Sequence, residues 1–264
     1  MPEDARTGFA RAVAFETRLQ DASAERFESF PGGRAYFNDS FPRVYDLNAL
    51  RVEDPSPDVS PKSVAAAAER LHTDAGQTHR RVVVPDPAAG ERLAPGFKDL
   101  GWEVRRFLFM GHLRAPDDDA RTAVVEELDE ATHWDAKRDF MASAPEAYDD
   151  SVVQQLLEKD RLKEGVVEFT RFGVRAEGEV VSVCELYSDG STAQVEDVST
   201  SPGFRGRGYA RSTILTALGV AEEKGCDLVF LVADAEDWPK ELYSKLGFDP
   251  LGVVYDFLKA PAGS

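Results

Sequence analysis

The stretch Gln194–Ser212, QVEDVSTSPGFRGRGYARS, brings together residue types that bind an anion and residue types that move a proton. Gly203, Gly206 and Gly208 interrupt it, and the helical pattern STILTALGVAEEKG follows directly. A glycine-rich turn that opens a helix leaves backbone N–H groups without partners and puts the positive end of the helix dipole at the turn. Such a turn is a seat for an anion. Arg205, Arg207 and Arg211 crowd it in a chain of formal net charge −17, so the local field opposes the global one and favours a polyanionic ligand. Just upstream, the carboxylates Glu196 and Asp197 lie in a strand-like segment, where alternation lets one of the two face a reactive centre.

Two familiar phosphate loops do not fit. No lysine followed by Ser or Thr closes the turn as a Walker sequence requires, and Gly206-x-Gly208-x-Ala210 lacks the third glycine of a dinucleotide fingerprint. A second constellation lies downstream. Residues 226–233, CDLVFLVA, read as a buried strand. In DAEDWPKELYSKLGFDPLGVVYDFL, Asp237 can cap a helix, Pro239 fits its first turn and Gly247 ends it. Tyr243 lies on that helix, and a phenol, with an ordinary pKa of about 10, is a proton donor at neutral pH.

Arg205-Gly206-Arg207-Gly208-Tyr209-Ala210 resembles the pyrophosphate-binding motif of the GNAT acetyltransferase superfamily, Q/R-x-x-G-x-G/A. Leu242-Tyr243-Ser244-Lys245-Leu246-Gly247-Phe248 is similar to the family's second signature, L-Y-x-K-x-G-F, at the family's spacing. The resemblance implies an acetyl-coenzyme A dependent N-acetyltransferase that moves an acetyl group to a primary amine by direct attack. It implies that the amides of residues 205–210, together with Arg211, hold the diphosphate. The backbone of Val198, Ser199 and Thr200 would hold the pantetheine arm and polarise the thioester carbonyl. Glu196 would be the general base, with a charge on the solvated face of the sheet as the alternative. Tyr243 would be the general acid for the departing thiolate, with helix packing as the alternative. Where many relatives carry an asparagine after the strand that follows the loop helix, this chain has Asp234-Ala235-Glu236-Asp237. Another acyl group, an alcohol acceptor, or a noncatalytic protein that binds coenzyme A or a small ligand are the competing readings.

These groups need a scaffold. The 264 residues suffice for one large or two small domains with cores of their own. A sequence pI near 4.7 argues against nucleic-acid binding and against adsorption to anionic membranes. Cys184 and Cys226 are expected to be reduced core residues, and His72, His79, His112 and His133 make no metal set, so no metal is expected. No apolar run approaches about 18 residues and no signal peptide is read before the first helix, so the expected site is cytoplasmic. The partner expected is a small-molecule amine or peptide acceptor. A homodimer is compatible with the reading.

In chain order, residues 1 to 30 read as a helix ending at Pro31-Gly32-Gly33, with strands at 34–38 and 43–52. A helix over 60–73, a strand at 82–84, a helix over 87–100 and a strand over 103–113 follow. Proline and consecutive aspartates at 114–120 mark a boundary, Asp117–Asp119 being read as an N-cap for a helix in 122–141. A second helix over 148–165 then precedes three strands joined by Glu177-Gly178 and Asp189-Gly190. Residues 93–110 echo 238–258: each reads as a helix, a Leu-Gly-aromatic stop and a strand. The expected fold is α/β (α+β by some schemes), with two GNAT-like domains, each a mixed, mostly antiparallel sheet flanked by helices. The first, 1–115, is expected to be degenerate and without a cofactor loop; the second, 121–264, is expected to be catalytic.

Overall fold

Apolar residues recur at helical spacing through the N-terminal segment, and helix α1 (Glu3–Ser23) buries Phe9, Ala12, Phe15 and Leu19 along one stripe. The helix is shorter than the sequence pattern implies. Beyond Ser23 the period changes from about 3.6 to 2, and Arg26–Phe30 forms strand β1 with an alternating burial pattern. Pro31 and Gly32 (φ 112°) turn it into β2 (Gly33–Phe37). The strand expected at 43–52 is a 3-10 turn, Tyr45–Leu47, followed by a shorter β3 (Ala49–Val52). Helix α2 (Pro61–Asp74), β4 (Arg80–Val84), α3 (Pro87–Asp99) and β5 (Glu103–His112) complete this half close to their expected bounds.

The computed structural model describes residues 3–142, 150–163 and 165–261. Two units emerge: Met1–Phe109 with Ala233–Asp237 and Leu251–Ser264, and Met110–Val232 with Trp238–Pro250. This grouping differs from the expected division at 115/121 in giving most of the chain's last strand, from Leu251 on, to the first unit.

The second unit opens on β6 (Glu126–Glu127), a short edge strand paired with β7 (Glu168–Ala176). No helix starts at 122; α4 (Glu130–Ala142) begins later, where Asp129 Oδ1 accepts from Thr132 N at 2.8 Å. Asp117–Asp119 are therefore not its cap. Asp118 instead pairs with Arg211 at 2.6 Å, and Asp117 pairs with Arg114 at 2.8 Å. Helix α5 (Asp150–Glu158) follows; Tyr148, Asp149 and Glu164 of the expected second helix lie outside the described residues. The meander β7, β8 (Glu179–Ser188) and β9 (Thr192–Thr200) is antiparallel. Then come α6 (Tyr209–Glu223), β10 (Leu228–Asp234), α7 (Pro239–Lys245) and β11 (Phe248–Lys259). In α7 the N-cap is Trp238 and not Asp237.

The strand order is β1-β2-β3-β4-β11 in the first unit and β10-β9-β8-β7-β6 in the second. Both orders are mixed and mostly antiparallel. The parallel neighbours are β3 with β4 and β9 with β10. In the first unit, Phe257 of β11 sits opposite Val82 and stacks on Phe97 of α3 at 4.1 Å, inside a core shared with Leu50, Leu71, Val84 and Leu93. His72 and His79 are structural here. Both face the carbonyl of Asn48, at 3.2 and 2.9 Å, and burial lowers their pKa values to about 4 and about 3.

Tight strand pairing gives the first prediction. A Cβ on Gly33 would stand 2.1 Å from the carbonyl oxygen of Arg51 on the neighbouring strand β3. Gly33→Ala is expected to lower stability by about 1–3 kcal/mol, because a backbone oxygen cannot swing away as a flexible side chain can. A shift of the urea midpoint at constant slope is the check.

Candidate active site

Strands β9 and β10 pair in parallel from Thr192↔Leu228 to Gln194↔Phe230, and there the ladder ends. Yet β9 runs on to Thr200, and β10 also extends past Phe230. Two parallel strands that part open a fork at their carboxyl ends, where α/β sheets bind ligands. The register with β8 explains the parting. Glu196 sits opposite Glu185, while Ser199 sits opposite Val183, so β9 carries an extra residue there. It is a bulge, and Asp197 has left-handed backbone (φ 51°) within it. Past the bulge, Ser182 Oγ donates to Ser199 O at 2.9 Å, and the Thr200 hydroxyl lies 2.9 Å from Ser182 Oγ.

Beyond β9 the chain makes a 3-10 turn, Pro202–Phe204, and enters α6 through Gly206 (φ 76°) and Gly208 (φ 80°). Gly208 is the N-cap and offers no side-chain bond to the first turn of α6. The amides of Tyr209, Ala210 and Arg211 therefore start a 15-residue helix without a cap of its own. The arginines are bound by the protein itself. Arg205 Nε donates to Thr200 O at 3.1 Å, Arg207 Nη2 donates to Gly203 O at 3.1 Å and Arg211 pairs with Asp118. Thr122, which no motif marks as a site residue, fastens the loop: its hydroxyl donates to Arg207 O at 2.9 Å and would lie 2.6 Å from a Cβ on Gly208.

Residues 130–248 match the model of the acetyltransferase (GNAT) family. This segment is a GNAT acetyltransferase domain. The solved structures agree on the fold. A functionally unknown conserved protein from Staphylococcus epidermidis ATCC 12228 shares 15% identity over 89% of this chain and 94% of its own, with a TM-score of 0.67. A GCN5-related N-acetyltransferase from Kribbella flavida shares 16% over 97% and 96%, with a TM-score of 0.63. A tandem GNAT protein from the clavulanic acid biosynthesis pathway shares 14% over 88% and 79%, with a TM-score of 0.55. No curated protein matches in sequence. The family match thus makes residues 130–248 an acyltransferase domain, and the solved structures show its fold.

In this GNAT domain, residues directly opposite on antiparallel strands share a face, so Glu185, Tyr187, Gln194 and Glu196 lie together. Gln194 Nε2 donates to Glu196 Oε1 at 2.6 Å. Helix α4 covers this face with His133 and Lys137, one turn apart. Lys137 Nζ donates to Asp160 Oδ2 at 2.9 Å and to Asp197, and stands 3.6 Å from Glu185 Oε1. Tyr187 donates to Glu185 Oε2 at 2.5 Å. His133 Nε2 lies 2.7 Å from Glu185 Oε1 without hydrogen-bond alignment. Asp160, Glu185 and Asp197 bring carboxylate oxygens within 4.8 Å of one another, a spacing that suits a cation, and the ammonium of Lys137 lies in reach of all three.

Burial alone would lower the pKa of Lys137, but Asp197, Glu185 and Asp160 outweigh it and raise it above the ordinary value. Burial alone would raise that of Glu185; Lys137, His133 and the Tyr187 hydroxyl hold it far below the carboxylate range. Tyr187 is pushed well above the usual phenol value, first by burial and then by Glu185, so it stays a donor. The signal for this cluster is a glutamate in the middle of the apolar run EVVSVCELYS: a buried charge requires a partner.

Tyr243 is half-buried on α7, its ring 6.5 Å from that of Phe248 and inclined 65° to it. α7 follows β10 as α6 follows β9, so both helices are entered from the carboxyl ends of neighbouring parallel strands. The second signature has a packing logic. Leu246 and Phe248 are buried, and a Cβ on Gly247 (φ 90°) would lie 2.1 Å from Arg114 O. Cys184 is buried on the opposite face of β8, and its thiol pKa is pushed up by burial. No helix among the described residues is long and apolar enough to cross a membrane.

Proposed function

We propose that the GNAT domain transfers the acetyl group of acetyl-coenzyme A to a primary amine of a small molecule or peptide by direct attack. The observation that carries this reading is the fork between β9 and β10 beside an uncapped helix entered through Gly206 and Gly208. The amides of residues 206–211 and the arginines of the loop would take the diphosphate. The backbone of Val198–Thr200 would hold the arm and polarise the thioester carbonyl. Glu196 would take the proton that an ammonium must lose before attack, and Tyr243 would give one to the departing sulfur. Glu196 and the chain's charge of −17 suit a cationic acceptor.

One such site per chain is proposed. The equivalent helix of the first unit, α2, also follows the strand at a parallel junction, but its start is closed. Ser60 and Ser63 form a reciprocal capping box, and Pro61 supplies no N–H. The proposed division is a GNAT-like first domain without a cofactor loop and a catalytic second domain.

Calorimetry with acetyl-coenzyme A tests the reading. One site per chain is expected. Gly208→Ala should weaken binding by about tenfold or more, because a left-handed alanine costs about 1–2 kcal/mol and its methyl must displace Thr122. A wild type that fails to bind would overturn the proposal, and two sites would overturn the closed first unit.

A further inference from the structure

Among the described residues, Glu177 (φ 55°) and Asp197 (φ 51°) are the non-glycine residues with left-handed backbone. Glu177 occupies the hairpin turn Glu177-Gly178, where that conformation is required. Asp197 has no turn to justify it. It lies inside β9, at the extra residue that shifts the register from Glu185↔Glu196 to Val183↔Ser199. A left-handed non-glycine residue in a strand is strained and persists only if its surroundings hold it there.

The holding group is Lys137. The Asp197 carboxylate accepts from Lys137 Nζ, and Lys137 is itself fixed from two other sides, by Asp160 Oδ2 at 2.9 Å and by Glu185 Oε1 at 3.6 Å. The side chains of Lys137, Asp160 and Glu185 are 6%, 1% and 1% exposed, so the anchor is rigid and shielded, whereas Asp197 is 37% exposed at its rim. Three elements, α4, the 3-10 turn Lys159–Lys163 and β8, thus meet at one ammonium whose remaining bond goes to the bulge. The ladder between β9 and β10 ends just before that bulge.

We propose that Lys137 is a positioning residue for acyl transfer: anchored on Asp160 and Glu185, it holds Asp197 in its left-handed turn and so aims the backbone of Val198–Thr200 along the fork. The inference deepens the proposed function, since Val198–Thr200 are the residues assigned there to the thioester arm. Lys137 touches no reacting atom. Its effect runs through the conformation of Asp197.

The test separates the bond from the backbone. Asp197→Ala and Asp197→Gly both delete the carboxylate that Lys137 grips, but glycine adopts φ near +50° without a steric penalty. Asp197→Ala is expected to raise KM for acetyl-coenzyme A by about tenfold, the factor that a left-handed alanine's cost implies, and Asp197→Gly should recover most of that loss. Amide hydrogen exchange at Val198–Thr200 gives a second readout that needs no ligand. It should quicken in Asp197→Ala and in Lys137→Met, and return towards wild type in Asp197→Gly and in Lys137→Met combined with Asp197→Gly. Equal losses in Ala and Gly, or no loss in either, overturn the clamp. If the wild type does not bind acetyl-coenzyme A, the functional reading fails, and the exchange pattern still decides whether Lys137 holds the bulge.

Discussion

Lys137→Met is expected to destabilise the GNAT domain by about 3–5 kcal/mol, the usual cost of removing one partner from a buried ion cluster. The figure counts Asp160 and Glu185, each 1% exposed, and leaves out Asp197, whose exposed carboxylate is screened by solvent. The pH dependence carries a sign that packing alone would not produce. In the wild type, Glu185 and Asp160 are held below their unfolded values of about 4.3 and 3.9, so their contribution is present above about pH 4 and is lost as pH falls through the folded values. Lys137 is raised above its unfolded value of about 10.4, so its contribution is present below about pH 10 and is lost only above the folded value. Stability from the cluster is then level between about pH 5 and 9. In Lys137→Met, burial, the largest influence on Glu185, loses its main opponent, and the glutamate is pushed upward. A group so raised contributes more at low pH and less as pH rises. The variant should therefore unfold at a lower urea concentration at pH 8 than at pH 5, while the wild type unfolds at similar concentrations. A variant as stable as the wild type at pH 8 would falsify the buried cluster. Adding Glu185→Gln should return part of the loss, since it removes the orphaned charge and keeps an acceptor for Tyr187.

What the sequence revealed of this site follows from how local each device is. A helix opened by Gly208, a stop at Gly247 and a proline at 239 act over a few residues, and each lies where its residue type implied. The start of α2 near residue 60 and the hairpin turns at Gly178 and Gly190 are legible for the same reason. Errors arise where two periods fit one short stretch. Phe27 continues the apolar stripe of α1 when read at helical spacing, but RFESF alternates and becomes β1. The edge strand β6 is two residues long and charged, so no pattern announces it. The bulge and its clamp were illegible for a different reason. Lys137 and Asp197 are 60 residues apart, Glu185 lies on a third element, and ordinary helix and strand periodicity carries no mark of their meeting. The expectation that only one of Glu196 and Asp197 faces the reactive centre rests on strict alternation, which a bulge breaks. Glu196 bonds to Gln194 on the cluster face, and Asp197 is drawn to that face as well, by Lys137.

Tyr243→Phe is expected to lower kcat by about a hundredfold with little change in KM for acetyl-coenzyme A, the signature of a group that acts in the transition state and not in ground-state binding. The substitution is mild for the fold. Tyr243 is half-buried, and phenylalanine keeps the ring that faces Phe248 at 6.5 Å. A packing role would thus leave kcat nearly intact, while a proton-donating role would not. The chemistry sets the pH range to examine. A thiol leaving group has an ordinary pKa of about 8.5, so between about pH 7 and 9 a protonated phenol can neutralise the sulfur as the C–S bond breaks. Without the donor, the sulfur must depart as a free thiolate or take its proton from water, and the rate loss should extend across that range. Glu196→Gln provides the contrast, because a missing base is bypassed as the acceptor amine loses its own proton at higher pH, near about 10. Activity lost in Glu196→Gln should therefore return as pH rises, and activity lost in Tyr243→Phe should not. Unchanged transfer by Tyr243→Phe over the whole range would leave the tyrosine as a packing residue of α7 and move the acid to water held in the fork.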